Sequence, residues 1–315
     1  MPDTPSTGAA IPERSETATY FSLPTEFDVE RYRNTNPDLA SFTVEQLVQH
    51  YSGHGALEGR TCSAITGRES FVSLVPDSEP VLEIGPFNSP CLAGHHVRYF
   101  DVMDAESLEK RALLHGLSAA RIPERIHYVS KTASLLEVKD KFCAALSSHM
   151  VEHAPDLIAH LQAVAALLKP GGRYFVICPD KRFCFDQTLA NSNIGEILQA
   201  YFEKRKVHAL ASIVEHRALA THNEPARHWK GDSPRRLLDP AIVQAAVDEW
   251  RTSNDSYVDV HAWQFTPDSF REILTCLWQM GLVTLRPLRI YGSLRDGVEF
   301  YAVLESDHSN GTSQK

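Results

Sequence analysis

The amino-acid sequence predicts an α/β protein built on a mostly parallel, doubly wound β-sheet of seven strands. Short apolar segments of strand character alternate with helical segments from residue 80 to residue 179, and such alternation places the strands in one parallel sheet. The alternation then stops until residue 266, where a helix and two more strands follow. A helical insertion after the fifth strand and a small N-terminal helical module complete the predicted architecture.

Five strand-like segments make up the first part of the predicted sheet. Each is a short apolar run bounded by charged or turn-forming residues, as in strands that are buried on both faces. The segments are PVLEIGP at 80–86, VRYFDV at 97–102, RIHYVS at 125–130, FCAALSS at 142–148 and RYFVICP at 173–179. Between the last two, residues 157–168 repeat apolar side chains at helical spacing, so a helix is expected there.

The C-terminal part of the chain supplies the last helix and two closing strands. The helix is expected at 266–280 and the strands at 283–291 and 298–304, joined as a hairpin across the Arg-Asp-Gly turn at 295–297. One of the two strands is therefore antiparallel to the rest of the sheet. The predicted core consists of residues 66–186 and 263–306, and the insertion at 187–262 is expected to cover the substrate.

Residues 21–65 are predicted to form a separate helical module. Apolar side chains recur there at helical spacing in two stretches, which are separated by Asn36-Pro37 and ended by Gly53 and Gly55. These side chains are Val29, Tyr32, Phe42, Leu47 and Tyr51. The polar ends of the chain, 1–20 and 307–315, are expected to be disordered tails.

Composition excludes several classes of function. The 315 residues carry a formal net charge of −9, whereas a nucleic-acid partner calls for a surplus of lysine and arginine. No apolar run approaches the roughly eighteen residues of a membrane span, and the N-terminal residues lack the apolar core of a secretory signal. The six cysteines form neither a CxxC pair nor a zinc-ligand spacing, which favours free thiols in a reducing cytoplasm.

The ends of the first two strands carry candidate cofactor-binding residues. Ligands of open α/β sheets bind at the carboxyl ends of the strands, where the strand order reverses. The first strand leads from Glu83 into Gly85 and Pro86, and Gly85 allows the backbone to approach a ligand closely. The second strand ends in Asp101, whose carboxylate can accept two hydrogen bonds from ribose hydroxyls. The alternative role of Asp101 is to cap the next helix.

Two further segments carry a resemblance to a known family. SSHMVEHAPDL at 147–157 is followed by LKPGGRYF at 168–175, and residues 80–186 as a whole resemble class I S-adenosylmethionine (SAM) dependent methyltransferases. The resemblance implies a Rossmann-like sheet with SAM as the cofactor. It assigns Glu83, Gly85, Pro86 and Asp101 to SAM binding.

The resemblance also places cofactor contacts after the third and fourth strands. Ser130 stands near the position where family members carry an acidic residue that meets the adenine, and Ser148 and His149 follow the fourth strand. The chain departs from the family again in the first loop, where Phe87 and Ser89 replace the second and third glycines.

A metal ion is not expected from the sequence. His149 and His153 are four residues apart, so a helix would place both on one face, as a pair of metal ligands requires. However, no third ligand stands nearby in the sequence, and the same string recurs in methyltransferases without a metal. The sequence therefore predicts no metal site.

Four residues are candidates for contact with the acceptor or for proton transfer. Asp180 directly follows the fifth strand, above the place expected for the methyl group. His222 and His228 lie in the insertion and His261 at its end, and histidine is the side chain best suited to move a proton near neutral pH. The alternative for each histidine is an ordinary packing or surface role.

The acceptor itself is predicted by association. Between Lys181 and Arg236 the chain has ten Lys or Arg against six Asp or Glu, which would suit an anionic acceptor or simply a solvated face. PDKRFCFD at 179–186 and HNEPARH at 222–228 resemble a bacterial methyltransferase family associated with polysaccharide assembly. The N-terminal module resembles small helical modules found beside glycosyltransferase and methyltransferase domains of bacterial surface-polysaccharide pathways. We therefore expect methyl transfer to a hydroxyl of a sugar or glycan intermediate, with a glycosyltransferase as an expected partner.

Three alternatives remain open at this point. The first is an N- or C-methyltransferase of a small metabolite, which would use the same SAM pocket. The second is a catalytically silent scaffold for a glycosyltransferase, which the altered motifs at Phe87 and Ser130 keep open. The third, a nicotinamide dehydrogenase, ranks last because the GxGxxG loop is absent.

Overall fold

The computed structural model describes residues 23, 27–234, 237–254 and 256–307. Its centre is a single sheet of seven strands in the order β3-β2-β1-β4-β5-β7-β6. The strands are β1 (Val81–Ile84), β2 (Val97–Asp101), β3 (Tyr128–Val129), β4 (Phe142–Ser148), β5 (Leu168–Pro179), β6 (Leu285–Tyr291) and β7 (Glu299–Ser306). The predicted α/β fold class with a seven-stranded, Rossmann-like sheet is confirmed.

The directions of the strands agree with the prediction as well. The first five strands are parallel to one another, and β7 runs antiparallel between β5 and β6. The turn before β7 is closed by a hydrogen bond from the N–H of Gly297 to the carbonyl of Leu294 at 2.9 Å, with Asp296 at a φ of 61°. Aspartate tolerates this left-handed conformation better than most residues, which fits the predicted hairpin.

Ten α-helices surround the sheet within the described ranges. They are α1 (Val29–Thr35), α2 (Val44–His50), α3 (Arg68–Val72), α4 (Ala105–Leu114), α5 (Leu157–Leu167), α6 (Ile194–Phe202), α7 (Leu210–Leu219), α8 (Pro225–His228), α9 (Pro240–Thr252) and α10 (Pro267–Gln279). None of the helices in this part of the chain is long and apolar enough to cross a membrane.

Helices cover both faces of the sheet and create two apolar layers. On one face, Leu161 of α5 and Phe270 of α10 are fully buried among the strand side chains. On the other face, Phe71 of α3 and Leu108 of α4 pack in the same way. Each such side chain contributes about 1.5–3 kcal/mol by leaving water, so the two layers hold the strand ends in place.

Strand β5 follows α5 directly, and the Lys-Pro-Gly-Gly segment lies at the start of this strand. Helix α5 ends at Leu167, one residue earlier than predicted, because Leu168 already pairs with Phe142 of β4. Gly171 follows at a φ of 71°, and a Cβ on Gly172 would lie 2.8 Å from the carbonyl oxygen of Lys169. Glycine is therefore required at both positions, one for its backbone angle and one for space.

The N-terminal module has an apolar core of its own. Tyr32, Leu47 and Tyr51, which the helical spacing predicts, are buried together with Leu39, and Val29 and Phe42 pack against them while partly buried. A Cβ on Gly55 would lie 1.9 Å from the hydroxyl of Tyr32, so the module requires a glycine there. The predicted tails 1–20 and 307–315 lie outside the described residues except for Asp307, and the domain boundaries stay predictions.

The insertion after β5 is helical, with α6 to α9 between residues 194 and 252. Helices α7 and α9 pack through Ile213 and Ala246 onto Val258 and Val260, which lie in the segment that returns to the sheet. The Arg217 guanidinium also pairs with Glu249 across the two helices at 2.9 Å. This packing positions the return segment, which carries His261.

Candidate functional site

The strand order reverses between β1 and β4, and the predicted cofactor loops meet at this edge of the sheet. The N–H of Gly85 donates to the carbonyl of Phe100 at 2.9 Å, which brings the end of β1 beside Asp101 at the end of β2. Asp101 is buried, and its Oδ1 accepts from the N–H of Met103 at 3.2 Å. Burial raises the pKa of Asp101, which backbone hydrogen bonds partly oppose.

Glu83 holds the shape of the loop that follows β1. Its Oε1 accepts from the N–H of Cys91 at 2.7 Å and its Oε2 from the N–H of Leu92 at 2.9 Å. Burial raises the pKa of Glu83 to about 7, although the two hydrogen bonds act in the opposite direction. The geometry therefore favours a positioning role for Glu83 within the predicted cofactor site.

The loop turns sharply where the family has its glycines. Gly85 has a φ of 70° and Phe87 a φ of 41°, so Phe87 adopts a conformation that usually belongs to glycine. A Cβ on Gly85 would lie 3.6 Å from Cγ of Met150, a residue of the turn after β4. The loop after β1 therefore borders the turn after β4 directly, with Pro86 between the two left-handed residues.

Ser130 lies next to Asp101, as predicted, but its hydroxyl is already engaged. Its N–H donates to the carbonyl of Asp101 at 3.1 Å, which joins the ends of β2 and β3. The hydroxyl of Ser130 donates to Oε1 of Glu137 at 3.0 Å and accepts from the N–H of Ser134 at 3.2 Å. A direct adenine contact by this hydroxyl would need Glu137 to move, so the role of Ser130 stays a prediction.

An ion-pair network follows the partly buried Ser148 at the end of β4. His149 has a φ of 50° and its Nε2 lies 2.8 Å from Oε1 of Glu299, the first residue of β7. Glu299 also pairs with Arg68 of α3 and accepts from the hydroxyl of Tyr301 at 3.2 Å. Burial alone would raise the pKa of Glu299, but the hydrogen bonds from His149 and Arg68 outweigh it and lower the pKa to about 2.

Asp180 is fully buried at the end of β5, and its carboxylate is taken up by neighbours. Oδ1 accepts from the backbone N–H of Arg182 at 3.0 Å and from its Nε at 2.9 Å, and Oδ2 accepts from the hydroxyl of Ser293 at 2.8 Å. The geometry favours a positioning role over proton transfer, because the Arg182 guanidinium and the Ser293 hydroxyl occupy the carboxylate oxygens.

His222 and His228 lie together in the insertion, with their rings stacked at a centroid distance of 4.0 Å. Nδ1 of His228 faces the carbonyl of Asp232 at 3.0 Å and its Nε2 faces the carbonyl of His222 at 2.9 Å. Both nitrogens of His228 are therefore occupied. Nδ1 of His222 accepts from the N–H of Glu224 at 3.3 Å, so the stack is well explained as packing.

His261 lies in a different environment, beside two buried carboxylates. Its Nδ1 is 2.6 Å from Oδ2 of Asp186 and its Nε2 is 4.0 Å from Oε1 of Glu152. The ring of His153 stands perpendicular to that of His261 at a centroid distance of 4.7 Å. We call Glu152, His153, Asp186 and His261 the histidine–carboxylate cluster. Burial lowers the pKa of His261, but the hydrogen bond to Asp186 and the charge of Glu152 outweigh it, so the pKa is raised.

Apolar and neutral groups surround the cluster. The ring of Phe185 packs on His261 at 4.7 Å, and His216 of α7 lies 6.0 Å from the same ring. Nε2 of His208 donates to the carbonyl of His153 at 3.0 Å. Burial lowers the pKa of both His208 and His216 to about 4, so these two rings are neutral at neutral pH.

Several site residues were not identified from the sequence. Arg68 precedes the first strand and shows no motif that marks it. Glu152 and His153 stand in the SSHMVEH segment and Asp186 ends the segment after β5, yet their proximity to His261 arises only when the insertion folds back.

One segment of the chain is similar in sequence to known proteins. No protein-family model matches the chain. A segment of 84 residues is 43% identical to the ubiquinone biosynthesis O-methyltransferase of Xylella fastidiosa (strain 9a5c). This segment is similar to an O-methyltransferase. It covers 26% of the chain and 32% of that relative.

A second relative gives the same picture. Over 73 residues the chain is 41% identical to the ubiquinone biosynthesis O-methyltransferase of Xanthomonas oryzae pv. oryzae (strain PXO99A), which covers 23% of the chain and 30% of the relative. The chain therefore spans about a third of the length of these curated relatives.

The solved structures that match the chain include proteins named as methyltransferases. The CcbJ methyltransferase from Streptomyces caelestis matches with 12% identity and a TM-score of 0.39, over 80% of this chain and 95% of that one. An S-adenosylmethionine dependent methyltransferase from Mesorhizobium loti matches with 12% identity and a TM-score of 0.38, over 76% and 98% respectively.

Proposed function

We propose that the chain is a SAM-dependent methyltransferase that methylates a hydroxyl group of a sugar or glycan intermediate. The observation that carries the proposal is the position of Gly85 beside Asp101, at the edge where the strand order of a seven-stranded sheet reverses. The similarity of one segment to O-methyltransferases supports the same reaction type.

The residues at this edge suit the parts of SAM. The buried carboxylate of Asp101 offers acceptor oxygens to the two ribose hydroxyls, and the glycine at 85 leaves room for the backbone to approach the ligand. The side of the edge near β4 offers Ser148 and the Arg68 guanidinium, which suit the amino-acid end of SAM. SAM supplies a methyl group on a positively charged sulfur, which is already activated for transfer.

The protein must then orient the acceptor and deal with its proton. Of the four residues predicted for this step, His261 has the environment that fits it best. Asp186 accepts a hydrogen bond from Nδ1 of His261, which leaves the other ring nitrogen available beside Glu152. We therefore propose that the acceptor hydroxyl loses its proton at the histidine–carboxylate cluster.

The charge of the insertion bears on the acceptor. Part of the basic surplus at 181–236 is offset by acidic side chains outside this range, because Arg182 pairs with Asp180 and Arg217 with Glu249. Lys204 and Lys206 remain exposed on the surface. This balance supports an acceptor whose recognition depends on hydroxyl groups more than on negative charge, and a sugar fits that description.

Calorimetric titration with SAM tests the first part of the proposal. We expect micromolar binding to the full chain and a loss of at least about 100-fold in affinity in Asp101→Ala, because two hydrogen bonds to a charged group contribute about 1.5–3 kcal/mol each. Asp104→Ser is the matched control: Asp104 is an exposed N-cap of α4, and serine preserves the cap.

A transfer assay with labelled SAM tests the acceptor. The assay compares sugar nucleotides with amine-bearing metabolites and identifies the methylated atom in each product. Methylation at nitrogen or carbon would support the alternative reaction. If the wild-type chain binds no SAM, the methyltransferase proposal is wrong and the silent scaffold beside a glycosyltransferase takes its place.

A further inference from the structure

We propose that the histidine–carboxylate cluster binds one divalent metal ion, with Glu152, His153 and His261 as its ligands. Zn²⁺ or a similar transition-metal ion suits two imidazoles and one carboxylate. The binding itself is argued from the cluster alone, whereas the role of the metal in acceptor activation rests on the function proposed above.

The spacing of the ligand atoms fits a metal centre. One ligand atom from each of Glu152, His153 and His261 lies within 4.8 Å of the other two. Ligands about 2.0–2.2 Å from a tetrahedral Zn²⁺ are about 3.4 Å apart, so small side-chain rotations would close the site. Oε1 of Glu152 and Nε2 of His261 are 4.0 Å apart.

The hydrogen bonds around the two rings prepare them as ligands. Nδ1 of His261 is bonded to Asp186 at 2.6 Å, and Nδ1 of His153 to the carbonyl of Val260 at 3.1 Å. Each ring therefore carries its proton on Nδ1 and presents the lone pair of Nε2. A histidine that ligates a metal is usually held by a carboxylate or a carbonyl on its other nitrogen in this way.

Buried carboxylate oxygens without hydrogen-bond partners are an independent indication of a cation site. Among the described residues, Oε1 of Glu152 and Oδ1 of Asp186 have no hydrogen-bond partner, and both residues are 1% exposed. Leaving a buried carboxylate uncompensated is costly. A single protonated His261 would leave the two carboxylates with a net charge of −1, whereas a divalent ion with neutral rings brings the cluster to zero.

The groups next to the cluster are compatible with a metal ion and do not supply the positive charge that it would bring. His208 and His216 are neutral at neutral pH, and Sγ of Cys178 lies 4.0 Å from the other oxygen of Glu152. Asp259 contributes a carboxylate 3.3 Å from Nδ1 of His153, on the side of the ring away from the proposed ligand atom. These groups make the surroundings of the cluster polar, and the carboxylate of Asp259 favours a cation there.

The proposed metal site departs from the expectation of no metal that was drawn from the sequence. The HxxxH pair that the sequence shows, His149 and His153, is not the site, because His149 is bonded to Glu299. The third ligand, His261, comes from the far end of the insertion and is not recognisable by spacing.

Three protein ligands leave at least one coordination position open, as in catalytic zinc sites. An acceptor hydroxyl that occupies this position would lose its proton to solvent more readily, because the cation stabilises the alkoxide. The O–CH3 bond then forms as the S–CH3 bond breaks, and the sulfur keeps the electron pair as a neutral thioether.

Titration of the chelator-treated full chain with Co²⁺ tests the binding, with visible absorption as the readout and atomic emission for the Zn²⁺ stoichiometry. We expect one ion per chain and a band of a four- or five-coordinate site. His261→Ala and Glu152→Gln should each weaken binding by at least about 100-fold, and Asp186→Asn by about 10- to 100-fold. His115→Ala, which removes an exposed histidine, should bind as the wild type does.

The outcomes separate the metal from the methyltransferase proposal. No Co²⁺ binding by the wild type, or unchanged binding in folded Glu152→Gln and His261→Ala, overturns the metal site. Glu152→Gln keeps the shape of the side chain, and circular dichroism checks its fold. SAM binding is measured in the same preparations: SAM binding without metal binding contradicts only the metal site, and the reverse contradicts only the proposed function.

Discussion

Replacing Glu299 with glutamine should make the stability of the protein less sensitive to acid. Glu299 is 13% exposed on its side chain and joins Arg68 of α3 to His149 after β4. Its pKa in the folded chain is lowered to about 2 from an ordinary value of 4.5. A carboxyl group with a lowered pKa stabilises the folded state above its unfolded pKa, and this stabilisation is lost as pH falls towards the folded pKa.

The size of the effect follows from the shift. A difference of about 2.5 pKa units corresponds to about 3 kcal/mol of unfolding free energy at neutral pH. About 2 kcal/mol of this should be lost between pH 5 and pH 3. Since the side chains of Arg68 and His149 are 38% and 37% exposed, solvent screening makes these values upper limits.

Urea unfolding of the wild type and of Glu299→Gln at several pH values between 6 and 3 measures the effect. The variant is destabilised at pH 6, partly because Arg68 loses its partner, and the gap between the two proteins should narrow as pH falls. Taking the difference cancels the titration of other carboxyl groups. A gap that stays constant from pH 6 to pH 3 would refute the assignment of a lowered pKa to Glu299.

Two other changes have equally specific expected outcomes. Asp186→Asn should lower kcat by about 10- to 100-fold with a nearly unchanged KM for SAM, because it disturbs the ring of His261 and leaves the edge at Asp101 intact. Steady-state kinetics with the identified acceptor measure both constants. A change confined to the KM for SAM would contradict the expected role of Asp186. Gly55→Ala should lower the melting temperature because its Cβ would collide with Tyr32, whereas Gly53→Ala is the control, since no described atom lies within 4 Å of its Cβ. Scanning calorimetry compares the two, and equal melting temperatures would show that the module tolerates the side chain.

The fold could be predicted because its signals are local. Each strand is a short apolar run, α5 repeats its apolar side chains at helical spacing, and Gly171 and Gly172 mark the change from one to the other. The positions of Gly85 and Asp101 follow from the same reasoning, because parallel strands bring their carboxyl ends to one edge. The ends of elements are predicted less well: α5 ends one residue early, at Leu167, but β5 begins at Leu168, five residues before the predicted strand, and β3 has only two residues.

The chemistry of the site was less accessible because it depends on contacts between distant residues. Asp186 and His261 are 75 residues apart, and the fold of the whole insertion lies between them. Arg68 and Glu299 are separated by 231 residues and meet only because β7 runs back beside β5. The surplus of basic residues after β5 is visible in the sequence. The acidic partners of these residues, such as Glu249 for Arg217, cannot be predicted from the order of residues.

The return segment, which carries His261, holds these distant residues together in a fixed arrangement. The N–H groups of Ala262 and Trp263 donate to the carbonyl of Glu152 at 2.7 and 3.1 Å, and the indole of Trp263 donates to Ala154 at 2.6 Å. On the other side, the N–H of Gln264 donates to the hydroxyl oxygen of Ser192, in the loop before α6, at 2.9 Å.

His261 is thus fixed by backbone hydrogen bonds to the same turn that carries Glu152 and His153, and its geometry does not depend on a mobile lid. A purely structural return segment could fill this space with apolar side chains at lower cost than with two buried carboxylates. The presence of Glu152 and Asp186 around a rigidly held His261 therefore favours the proposed role of the cluster as a site for a cation and for the acceptor oxygen.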